Sequence, residues 1–171
     1  MKKTTLVLLL LAGFSVTSAH AQSADSLDSV PAKSPIASLT AQEYFDLKNG
    51  FDMGMARVAE IHGYPSPEEV QKHAKELALT STQKGQLQKI LDAWKFKTRE
   101  MGGFLIAQET KLNNLFASGK ATDGAIIYYT NKIGLYQGEL RNAHLQANLK
   151  TKNLLTGEQL KKYRRLRDQT K

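Results

Sequence analysis

From Leu39 to the end of the chain, apolar residues recur at steps of three and four, and no stretch alternates as a strand would. Proline, which interrupts such a pattern, occurs there only as Pro65 and Pro67. The chain is therefore expected to be all-α. Its 171 residues suit one domain of ordinary size. With no cysteine there can be no disulfide framework, thiolate metal site, thiol nucleophile or lipid-modified cysteine.

Start and stop signals divide the helical region. Thr40 and Glu43 have capping-box spacing. They predict a helix over 41–61, with Tyr44, Leu47, Phe51, Met55 and Val58 on one face, weakened by Gly50 and Gly54. The run His62-Gly63-Tyr64-Pro65 ends it. Ser66 as N-cap, Pro67 at the first position, and Glu68 and Glu69 at the positive end of the dipole predict a short helix over 67–78. Thr80 caps a long helix over 81–117, whose seam reads Leu87, Leu91, Trp94, Thr98, Met101, Leu105, Gln108, Leu112 and Leu115. Gly102-Gly103 suggests a bend near its middle. After a turn at 118–122, a fourth helix over 123–154 carries Ile126, Tyr129, Ile133, Tyr136, Leu140, Ala143, Ala147 and Leu154 on one face. Thr156 caps a last helix that ends near Arg167. The short turn at Gly119 makes the two long helices antiparallel. Such a hairpin leaves a broad apolar face, which the short helices or a second copy must cover, so a homodimer is expected.

The N-terminal segment reads as an address. Lys2 and Lys3 precede an apolar run from Leu6 to Phe14, and Ala19 and Ala21 place small residues where a signal peptidase reads. The run is too short for a membrane span, which needs about 20 apolar residues. Residues 1–21 are expected to be a signal peptide of bacterial type, cleaved after Ala21. Residues 22–38, rich in Ser, Ala, Asp and Pro, are expected to form a disordered lead, and 39–171 the folded domain.

One tetrad occurs twice. Leu79, Thr80 and Gln83 open the third helix, and Leu155, Thr156 and Gln159 open the last; both read L-T-x-x-Q. Thr is the cap, Gln at N3 reaches back to the cap's own N–H, and the preceding Leu is a staple residue. Two such motifs around a long helical hairpin, behind a signal peptide, resemble the Spy/CpxP family of periplasmic proteins. Gly54-Met55-Ala56-Arg57, Gly63-Tyr64-Pro65 with Pro67, Leu115-Phe116-Ala117-Ser118-Gly119, Leu140-Arg141 and His144-Leu145 are similar to its heavy-metal sensor and resistance branch. The resemblance covers about 39–171. It implies a cradle-shaped antiparallel dimer in the periplasm. It also implies an ATP-independent, holdase-type chaperone of the envelope stress response, whose partners are unfolded envelope proteins and, in CpxP-like members, a membrane stress sensor. Metal-sensing members bind nickel, cobalt or zinc through His, Glu and Met.

Capture of unfolded clients needs positive charge for fast encounter and apolar surface for holding. The chain carries 24 Lys and Arg against 16 Asp and Glu. Lys95, Phe96, Arg99, Phe104, Ile127, Tyr128 and Arg141 are the candidate client-binding residues, since the apolar members lie off the helix seam. Most helical charges are simply solvated, and packing against a short helix or a dimer partner is the commoner role for an apolar residue taken singly. The basic tail from Lys161 to Arg167 would also suit an anionic membrane surface or cell-wall polymer. Nucleic acid is not an expected partner, because export argues against it and no aromatic-interleaved basic motif is present. The chaperone reading requires no cofactor. For a metal such as zinc or nickel, the candidate ligands are Glu69, His73 and His144, with Asn148 where the sensors carry a soft ligand. A lone His on an apolar face is more often a hydrogen-bonded core residue. No phosphate-binding loop or nucleophile elbow occurs, so no enzymatic activity is expected.

Overall fold

The computed structural model describes residues 29–169. The expected signal peptide, and residues 22–28 of the expected lead, lie outside this range. Among the described residues there are six helices and no strands: α1 (Ala41–Asn49), α2 (Arg57–Ile61), α3 (Pro67–Lys72), α4 (Ser81–Ala117), α5 (Asp123–Leu154) and α6 (Gly157–Asp168). The all-α expectation holds, and both long helices have the expected bounds. No helix among the described residues is long and apolar enough to cross a membrane.

The 37 residues of α4 make it about 55 Å long at 1.5 Å per residue. α5 packs back along it after the turn at Gly119. Two apolar clusters hold the assembly. One joins Val70, Leu77, Leu79, Leu87, Leu91, Leu155 and Tyr163 at the base of the hairpin. The other joins Leu47, Met101, Leu105, Ile133 and Leu140 further along.

The expected helix over 41–61 is broken. Gly50 caps α1 in the left-handed region, with φ +71°. Beyond it, Met53 (φ +51°) and Gly54 (φ +79°) form a tight turn closed by the Met55 N–H on the Asp52 carbonyl at 2.9 Å. Both central residues are left-handed, as in a type I′ turn, which favours Asn or Gly at the place Met53 holds. The turn breaks the helical phase, so Phe51 and Val58 are exposed and only Leu47 of the expected face is buried. α3 is likewise shorter than expected, followed by turns up to Ala78 at φ +50°.

α4 runs uninterrupted through Gly102-Gly103, and Gly102 has a packing role. A Cβ at Gly102 would overlap the Leu47 carbonyl of α1, and one at Gly50 would meet the Thr98 side chain and the Arg99 backbone. Bare backbone at these two points lets the end of α1 sit directly on α4. Ahead of Leu39, Ile36 is buried and Ser34 closes a local turn on its N–H and carbonyl. Packing thus reaches into the segment read as the lead.

Candidate functional site

The two L-T-x-x-Q motifs meet. Thr80 and Thr156 each complete a capping box with Gln83 and Gln159. Gln83 Nε2 donates to Gln159 Oε1 at 2.8 Å, and Gln159 Nε2 donates to Gln83 Oε1 at 3.0 Å. The second N–H of Gln83 reaches the Leu154 carbonyl at 3.0 Å, and that of Gln159 the Leu77 carbonyl at 3.3 Å. Each amide oxygen also accepts its own cap N–H, so both amides fill their two donor and two acceptor places. Leu79 and Leu155 are buried beside them. Sequence reasoning reads each motif as a separate helix start. The signal for their union is the choice of Gln over Glu at both N3 positions: either side chain caps, but only an amide also donates.

A second polar cluster lies between the hairpin and the α1–α2 connection. His144 is 1% exposed. The Trp94 indole N–H donates to its Nδ1 at 3.1 Å, and Asp52 Oδ1 lies 3.3 Å from the same nitrogen. The indole bond places the neutral ring's proton on Nε2, which is buried and has no partner. Burial lowers the His144 pKa, outweighing the raising effect of Asp52 and Glu68. Asp52 Oδ1 also accepts the Ala56 N–H at 2.8 Å, which fixes this carboxylate at the turn before α2. One turn along from His144, buried Asn148 donates to the Tyr64 carbonyl at 3.2 Å, and Lys152 stacks over the Tyr64 ring.

These contacts bear on the expected metal ligands. Glu69 accepts a hydrogen bond from the Tyr163 hydroxyl, whose pKa is raised by burial and then by this bond. His73 is the C-cap of α3, and His144 faces Trp94 and Asp52. Among the described residues, no three His, Asp or Glu side chains converge as a metal site. Asn148 is engaged as a backbone tether.

The candidate client-binding residues spread along the hairpin. Lys95, Phe96 and Arg99 share a shallow depression with Asp92 and Glu100, and Phe96 is 70% exposed. Lys95 pairs loosely with Glu68 at 3.6 Å. Phe104 is partly covered by stacking on Tyr136, with centroids 5.1 Å apart. Ile127 and Tyr128 are exposed on the first turns of α5, near the hairpin tip, with Lys132 beside the Tyr128 ring. Arg141 is exposed on the same helix.

A groove of ≈ 320 Å³ between α4 and α5 has no forerunner in the sequence reading. Its floor includes Ile90, Ala93, Trp94 and Ala147, and Lys89, Lys97 and Lys150 stand around it with no acidic residue in the lining. Lys97 is paired with Glu100 at 2.9 Å. Comparison of the chain with protein-family models, with curated proteins and with solved structures finds no match.

Proposed function

We propose that the protein is a periplasmic, ATP-independent chaperone of the Spy/CpxP type, which holds unfolded envelope proteins on the basic and apolar flank of its helical hairpin and works as a homodimer. The observation that carries this reading is the interleaving of exposed apolar side chains with cations. Phe96 lies between Lys95 and Arg99, and the groove over Trp94 is bordered by three lysines. Exposed apolar area favours a chain that has lost its own core. The cations speed its capture and discourage basic, folded surfaces. Contact with a membrane stress sensor would use the same surface.

Stoichiometric protein is expected to suppress aggregation of a reduced or heat-stressed client without nucleotide. No suppression at severalfold excess overturns the reading. Sedimentation is expected to give a dimer, and a stable compact monomer would contradict the two-copy arrangement.

A heavy-metal sensor or resistance role on the same scaffold is the second reading. It draws on the unpartnered buried Nε2 of His144. Calorimetry with zinc and nickel tests it, and binding unchanged in His144→Ala would remove His144 from that role.

A further inference from the structure

The α1–α2 turn holds a methionine where its backbone is least suited to one. Met53 takes φ +51° beside Gly54, and its side chain is not spent on the core, since the residue is 42% exposed. Asn or Gly would make the same turn with less strain. The turn itself therefore does not call for a long thioether there. Met55, at the other end of the turn, is half-buried against the Leu47 cluster. Both methionines line one hollow of ≈ 110 Å³, together with Glu43, Glu109 and Gln137 over a floor of leucines.

That lining contains two thioethers, two carboxylates and an amide, and no cationic side chain. Glu43 receives the Thr40 N–H and hydroxyl on Oε2, and its pKa is lowered by those bonds. Glu109 receives the Ser38 hydroxyl, also on Oε2. Both carboxylates belong to the lining of the hollow. A hard cation such as calcium needs six to eight oxygen ligands, more than this wall offers. Thioethers instead select a soft monovalent ion. We propose that Met53 and Met55 bind one soft monovalent metal ion, Cu(I) or its analogue Ag(I), at the α1–α2 turn, with the Glu43 and Glu109 carboxylates supplying the countercharge. The turn fixes the two sulfur-bearing residues two positions apart in the lining of one hollow, and the Asp52 carboxylate braces that turn by accepting the Ala56 N–H. This inference stands apart from the chaperone reading and uses none of the Glu69, His73 and His144 set.

Ag(I), which is redox-inert, is the probe. Titrated into protein labelled at the methionine ε-methyl carbons, it is expected to bind once per chain and to move the Met53 and Met55 signals together, leaving Met101, which is 4% exposed, in place. Met53→Leu and Met55→Leu are each expected to weaken binding at least tenfold. Met53→Asn is expected to raise the melting temperature, by relieving the turn, while losing binding to the same degree. This variant separates a lost ligand from a lost fold. Unmoved Met53 and Met55 signals at stoichiometric Ag(I), affinity unchanged in Met53→Asn, or equal shifts with Zn(II) would each overturn the proposal.

Discussion

Gln83 and Gln159 lie 76 residues apart in sequence and exchange two amide hydrogen bonds, of 2.8 and 3.0 Å. Each side chain caps its own helix and donates to the backbone that leads into the other's motif. The start of α4 and the junction of α5 with α6 are thereby closed by one four-bond polar clasp, set against the cluster around Leu79 and Leu155.

Gln83→Ala and Gln159→Ala are each expected to destabilise the fold by about 1–3 kcal/mol, because each leaves partly buried donors and acceptors unpaired. The double variant should cost less than the sum, with a coupling of about 0.5–3 kcal/mol. Gln83→Glu keeps the cap but loses both donors, so it should fall near the alanine variant. Urea unfolding measures all four, and strict additivity would show that the two amides act independently.

Gly102 and Gly103 are neighbours with opposite expectations. A Cβ at Gly102 overlaps the Leu47 carbonyl, whereas one at Gly103 meets nothing within 4 Å. Gly102→Ala should cost about 1–3 kcal/mol as α1 is pushed off α4. Gly103→Ala should stabilise by about 0.5–1 kcal/mol through helix propensity. Thermal melts of the two variants, shifted in opposite directions, are the expected result.

Protonation of His144 removes the acceptor of the Trp94 indole N–H and places a charge in a buried site. Its folded-state pKa is lowered, so the unfolded chain binds the proton more readily, and stability falls as pH drops below about 6.5. Between pH 7 and pH 5 the wild type should lose more stability than His144→Gln. Glu60, whose pKa is raised first by burial, contributes with the opposite sign in both proteins and cancels in the comparison. Denaturant unfolding at several pH values measures the difference, and parallel pH profiles would show that His144 does not titrate within that range.

The long helices are legible in the sequence because their signals are local. Thr80 and Thr122 mark the starts, the turn at Gly119 separates the two, and a sustained apolar seam fills the space between. The end of the first helix is not legible, because Tyr44 to Val58 keeps a helical period across Gly50 while the backbone turns at Met53 and Gly54. Periodicity cannot register a left-handed residue. Nor is the packing of Ile36, a single apolar residue in a polar run that finds cover only through tertiary contact. Residue type, local spacing and resemblance to the metal sensors group Glu69, His73 and His144 in the sequence. Where each goes depends on partners distant in sequence: Tyr163 lies 94 residues from Glu69, and Trp94 lies 50 from His144.

Phe96, Ile127 and Tyr128 are 70%, 60% and 56% exposed, so replacing all three with Ser should leave helix content and unfolding midpoint near those of the wild type. Light scattering of a chemically denatured client, diluted into equal concentrations of the two proteins, is the deciding measurement. Wild type is expected to hold the client soluble and the triple variant to lose most of that protection. Equal protection by a correctly folded triple variant would contradict capture on the exposed flank of the hairpin.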